Sequence, residues 1–148
     1  MAAALLLFAS LAGASSLGYD PEADPVAESR SAVAEARAGD KRILVLVGGE
    51  WCSWCHVLDR FVKGEPEIHR LWDQGYVTLK VHWEPEHPNQ EFLDRYPKIA
   101  GYPHIFVLDR DGTFLHSQNT GDLEEGGSYN EEMLLAFLDD WMPSKGGL

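Results

Sequence analysis

Cys52 and Cys55 are the only cysteines in the chain, and they stand between two different hydrophobic patterns. Before them, residues 43–47 read ILVLV, a continuous apolar run that suits a strand buried on both faces, closed by Gly48-Gly49. After them the pattern turns helical: Cys55, Leu58, Phe61 and Val62 recur at the spacing of one helix face. A buried strand that runs straight into a helix at a Cys-x-x-Cys pair leaves few architectures open. It calls for a sheet with helices packed on it. It also puts Cys52 at a helix start, where unpaired N–H groups and the helix dipole favour negative charge, with Cys55 one turn in and within disulfide reach.

The rest of the chain supplies such a sheet. Asp24-Pro25 reads as an N-cap followed by proline at the first helical position, and an Ala-rich helix over 27–38 ends at Gly39. Gly64 and Pro66 interrupt the helix that opens at Cys52, and it resumes over 66–72. Residues 76–83 form a second apolar strand and 89–96 a short helix. Strands at 105–108 and 113–116 flank Asp109-Arg110-Asp111-Gly112, a hairpin with Asp-Gly at its turn. Residues 118–127 read as a polar loop. A capping-box pattern at Ser128-Tyr129-Asn130-Glu131 starts a last helix over 129–141, with Met133, Leu134, Phe137, Leu138 and Trp141 on one face. No internal repeat or linker divides the chain, and 148 residues suffice for one core and not two. The expected class is α/β.

Residues 1–14, MAAALLLFASLAGA, carry no side-chain charge and are too short to span a bilayer, which takes about 20 apolar residues. Ala12-Gly13-Ala14 offers small residues where a leader is cut, so 1–14 reads as a secretory signal peptide and the destination as periplasmic or secreted. Residues 15–42 then form an N-terminal extension with the first helix, and 43–142 the core domain. The formal net charge of −12 argues against nucleic acid or an anionic membrane surface as partner, since both demand clustered Lys and Arg.

Placement gives the cysteines their chemistry. A free thiol with a pKa of about 8.5 is roughly 3% ionised at pH 7, and one shifted to about 7 is half ionised. The thiolate population rises about 16-fold while intrinsic nucleophilicity falls about 5-fold, so the net gain in attack is only a few-fold. The larger benefit is a better leaving group, which helps exchange in both directions.

The Trp51-Cys52-Ser53-Trp54-Cys55-His56-Val57-Leu58 element, together with Gly101-Tyr102-Pro103-His104-Ile105-Phe106 ahead of the hairpin, resembles the thioredoxin-like family, and most closely its exported bacterial members with a C-x-x-C-H motif. The resemblance implies a thioredoxin fold, a central mixed sheet flanked by helices, and thiol–disulfide oxidoreductase activity on disulfides of exported proteins or peptides. It implies no bound cofactor. A membrane thiol–disulfide reductase is the implied electron donor. In the family the first cysteine attacks and the second resolves, which assigns these roles to Cys52 and Cys55. The family's cis-proline, where substrate backbone docks, matches Pro103, with Tyr102 before it. Trp51 and Trp54, the latter expected to be exposed, join them as candidate substrate-binding residues. The chain also departs from the family. Leu46, six residues before Cys52, stands where thioredoxin has a buried Asp that helps deprotonate the resolving thiol. Lys80 matches the neighbouring family Lys, so Lys80, Glu84 and His56 are the candidates for proton transfer. His104 follows Pro103 where a small Thr is common, and Ser53-Trp54 is neither the Gly-Pro of thioredoxins nor the Pro-His of strong oxidants.

Two other readings use the same residues. Cys52, Cys55 and His56 satisfy the covalent c-type haem signature, with Met133 or Met142 as second axial ligand. A buried strand leading into the motif of an α/β chain argues against it. A zinc site from Cys52, Cys55, His82 and His87 has a gap about twice the 12–15 residues of a finger. A redox-silent thioredoxin-fold binding module is the remaining alternative. His69, His82, His87 and His116 read as surface residues.

Overall fold

The structure is a computed structural model in which residues 16–144 are described; the expected signal segment, 1–14, lies outside them. Strand β1 (Arg42–Gly48) runs parallel to β2 (Tyr76–His82) on one side and antiparallel to β3 (His104–Leu108) on the other. Strand β4 (Phe114–Asn119) pairs antiparallel with β3, giving the sheet order β2-β1-β3-β4.

The unbroken ILVLV run is explained by burial on both faces. Leu44 and Leu46 point with Ile105 and Val107 into a core that contains Leu58 of α2 (Ser53–Gly64), Ile68 and Trp72 of α3 (Pro66–Gly75), and Leu134, Phe137 and Leu138 of α5 (Glu131–Asp140). Ile43, Val45 and Val47 point the other way. They meet Phe106 and Leu108, Ala32 and Ala36 of α1 (Pro25–Gly39), and Phe92 and Leu93 of α4 (Gln90–Leu93). Alternate residues of one strand thus serve two cores.

Helix ends follow local chemistry. The Asp24 carboxylate accepts the Val26 N–H at 2.9 Å, and Pro25 opens α1. Gly39 stays helical and Asp40 takes the left-handed terminating position at φ 53°. The short helix expected over 89–96 is confined to Gln90–Leu93; Tyr96 precedes Pro97, which disfavours helical backbone there. The capping-box reading at Ser128 is overturned. Asn130 caps α5, accepting the Met133 N–H at 2.9 Å, while Ser128 and Tyr129 form strand β6. The stretch read as a polar loop holds the end of β4, a 3-10 turn (Thr120–Leu123) and strand β5 (Glu124–Glu125), which pairs with β6 across Gly126-Gly127. In this turn the Thr120 hydroxyl donates to the Pro103 carbonyl at 2.6 Å, pinning the loop that leads into β3. No helix among the described residues is long and apolar enough to cross a membrane.

Candidate active site

β1 delivers the backbone to Gly48 in the centre of the sheet, and α2 begins a few residues on. Cys52 is the N-cap of α2: its backbone is extended, and its Sγ accepts the Cys55 N–H at 3.2 Å. An anionic sulfur there keeps that donor and gains from the dipole. Cys52 and Cys55 are joined by a disulfide with their Cα atoms 5.2 Å apart. Cys52 is 3% exposed and Cys55 4%, so both sulfurs are buried in the disulfide form. What surrounds the two sulfurs differs. Cys55, and not Cys52, lines a cavity of about 200 Å³ that runs behind the motif between α2 and β2.

Asp59, Lys63, Asp73 and Lys80 all line that cavity, and Lys63 Nζ lies 2.7 Å from Asp59 Oδ2. Lys80 enters it from β2 and Asp59 from α2, with Nζ and Oδ1 4.0 Å apart. Burial lowers the Lys80 pKa from the ordinary lysine value, with Asp59 pulling it back. Asp59 was not singled out by the sequence reading, although it lies one helical turn beyond Cys55 on the same face, a spacing that could have revealed it. The other two proton-transfer candidates lie elsewhere and do not line the cavity. His56 Nε2 is 2.8 Å from the Glu50 carbonyl; a carbonyl only accepts, so that nitrogen carries a proton. Glu84 Oε1 lies 3.2 Å from both His82 Nε2 and His87 Nδ1. His82, expected at the surface, is buried because β2 carries it beneath this loop.

The other side of the motif is aromatic. Trp51 is half exposed, and its indole N–H donates to the Trp83 carbonyl at 2.7 Å. Its ring meets Tyr102 edge-on at 5.7 Å, and Tyr102 stacks on Trp83 at 4.6 Å. The Tyr102–Pro103 peptide bond is cis. Trp54, expected to be exposed, is half-buried and set edge-on against Tyr129 at 5.5 Å, so part of its surface serves packing under β6. His104 is buried beside Phe106, with Nε2 2.8 Å from Ser117 Oγ. Burial, reinforced by His116, pushes its pKa down to about 4.

The haem alternative finds no support in this geometry. The two sulfurs that would bind vinyl groups bond each other, and the His56 ring is tied back to Glu50. Met133 projects half-exposed from α5. For the zinc alternative, no three His, Cys, Asp or Glu side chains among the described residues are placed to hold a metal ion.

A Cys-x-x-Cys disulfide at the start of a helix, on a mixed four-stranded sheet of this order, defines a thioredoxin fold that carries a redox-type cysteine pair. The chain belongs to the thioredoxin-like family, whose model matches residues 24–110. It is 28% identical over 121 residues to the thiol:disulfide interchange protein DsbD of Pseudomonas fluorescens, an alignment covering 80% of this chain and 19% of that protein. The chain therefore spans about a fifth of that relative's length. Among solved structures, a disulphide isomerase from Xylella fastidiosa Temecula1 superposes with a TM-score of 0.72 at 23% identity, covering 86% of this chain and 98% of its own. The oxidised C-terminal domain of Neisseria meningitidis DsbD superposes with a TM-score of 0.57 at 20% identity, covering 80% and 97%. These two likenesses are of fold.

Proposed function

We propose that the chain reduces or exchanges disulfides in exported proteins or peptides, with Cys52 as the attacking and Cys55 as the resolving residue. The observation that carries this reading is the Cys52 sulfur at the N-cap of α2, accepting the Cys55 N–H while bonded to Cys55 Sγ. In the dithiol form the Cys52 thiolate attacks one sulfur of a substrate disulfide. The substrate S–S bond breaks, its electron pair leaves on the other substrate sulfur, and a mixed disulfide forms. Cys55 then gives up its proton and attacks Cys52 Sγ. The Cys52–Cys55 bond forms, and the second substrate sulfur leaves with the electron pair and takes a proton from water. The substrate is reduced by two electrons and the protein oxidised by two. Asp59, with Lys80 beside it, is the proposed acceptor of the Cys55 proton, because both share the cavity with that residue. Trp51, Tyr102 and Pro103 form the proposed substrate edge, with the free part of Trp54 beside it.

The proposed compartment is the periplasm or the exterior, reached through residues 1–14. A membrane thiol–disulfide reductase is the proposed electron donor; the P. fluorescens relative bears the name of a thiol:disulfide interchange protein. The test is trapping together with redox poise. Cys55→Ser accumulates reductant-sensitive adducts with exported proteins, and Cys52→Ser accumulates none. Equilibration with glutathione gives a two-electron potential; a value near about −270 mV marks a reductase and one near about −120 mV an oxidant. A pair that does not cycle, or traps through Cys55 instead, overturns the assignment.

A further inference from the structure

In the segment 16–20, ahead of α1, Leu17 and Tyr19 pack against the disulfide although nothing in its sequence belongs to the motif. Leu17 and Tyr19 are each 6% exposed and form one apolar cluster with Cys52 and Cys55. Anchors far along the chain hold this strap. Ser16 Oγ donates to Glu50 Oε1 at 3.1 Å, and the Tyr19 N–H donates to the same oxygen at 3.4 Å. The Lys80 ammonium donates to the Leu17 carbonyl and sits 5.4 Å over the Tyr19 ring. Gly18 allows the bend with φ 84°, a backbone state that side chains disfavour.

The strap delivers Tyr19 to the resolving sulfur. A Cβ added at Gly48 would overlap Cys55 Sγ and stand 3.2 Å from Tyr19 Oη, so sulfur and phenol converge on the same bare backbone. Leu17, Tyr19 and Cys55 also line the same cavity.

We propose that Tyr19 is a positioning residue for the resolving cysteine: the strap lays its ring over Cys55, so that this sulfur reacts with Cys52 and not with thiols or disulfides from solution. The proposal rests on the exchange reading above and adds to it the regiochemistry of exchange. An incoming thiol or disulfide meets Cys52 because the ring closes the route to Cys55.

The test isolates Cys55 in a Cys52→Ser background and offers it an aromatic disulfide whose released thiolate is coloured. The Cys55 thiol gives its proton to buffer and attacks one probe sulfur. The probe S–S bond breaks, and the electron pair leaves on the coloured thiolate. In the parent this reaction is slow. Adding Tyr19→Ala accelerates it about tenfold or more, because access governs thiol exchange, while Tyr19→Phe, which keeps the ring, stays within about twofold of the parent. In the two-cysteine protein, glutathione adducts located by mass spectrometry move from Cys52 alone to both cysteines in Tyr19→Ala and remain on Cys52 in Tyr19→Phe. Circular dichroism checks that each variant is folded. If Tyr19→Ala does not fold, Glu50→Ala, which removes the exposed acceptor that anchors the strap, takes its place with the same expected acceleration. A folded strap variant in which Cys55 stays as slow as in the parent overturns the proposal, as does a Tyr19→Phe as fast as Tyr19→Ala. Failure of the Cys52–Cys55 pair to cycle overturns the exchange reading instead, and the probe reaction at Cys55 is independent of that cycle.

Discussion

Asp59 Oδ1 and Lys80 Nζ lie 4.0 Å apart across the cavity behind Cys55, one on the helix that carries the cysteine and the other on the edge strand β2. Leu46 fills the strand position where thioredoxin carries its Asp, so the carboxylate that shares a cavity with Cys55 comes from the helix. Asp59→Asn keeps the shape and removes the proposed proton acceptor. Attack by Cys52 proceeds at the wild-type rate, and release of the mixed disulfide slows about tenfold or more, within the usual range for loss of a general base. Single-turnover kinetics on a chromogenic disulfide separates the two steps.

His104 makes the fold sensitive to mild acid. Its pKa is about 4 in the folded chain, set by burial and then by His116, against about 6.5 when unfolded. The unfolded chain therefore binds the proton first, so the contribution is whole above about pH 6.5 and is lost as pH falls toward 4. The loss is on the order of 3 kcal/mol. In urea unfolding, the stability gap between wild type and His104→Gln narrows by that amount from pH 7 to pH 4.

Thr120 and Pro103 lie seventeen residues apart, and their contact was not legible in the sequence. Thr120→Val leaves the Pro103 carbonyl without its donor in surroundings where residue 120 is 2% exposed. The expected cost is about 1–3 kcal/mol, with most of it recovered in Thr120→Ser. Chemical unfolding of the three proteins measures it.

Trp51 is half exposed, and what it touches is mainly other aromatic rings and one carbonyl. Trp51→Ala raises the KM for an unfolded disulfide-bonded protein several-fold and leaves exchange with oxidised glutathione within about twofold, as for an exposed aromatic anchor. Equal losses on both substrates show that the ring supports the cysteines and not the substrate.

The central features could be read from the sequence because their signals are local. ILVLV announced a strand with two buried faces, and Cys52 at a helix start followed from the switch of periodicity after it. The Glu124–Tyr129 hairpin was missed although Gly126-Gly127 is a two-residue turn signal, because the strands it joins are only two residues each. Asn130 displaced Ser128 as the cap of α5 because the backbone at Ser128 was already committed to that hairpin. Trp54 and His82 were placed outside because a single sequence does not show which tertiary neighbour, here Tyr129 or the loop after β2, will cover a side chain. Leu17 and Tyr19 read only as part of an N-terminal extension, since the groups they touch lie far along the chain.

That last separation sets an order of assembly. The strap reaches Glu50 across 34 positions and Lys80 across 63, and its own residues are joined by little more than the Gly18–Ser16 hydrogen bond. Such contacts reward the chain only after β2, which holds Lys80, and the turn after β1, which holds Glu50, exist. The first described residues are therefore the last to settle and the first to come loose. Native-state hydrogen exchange then shows Tyr19 opening at lower free energy than Val45 in the middle of β1.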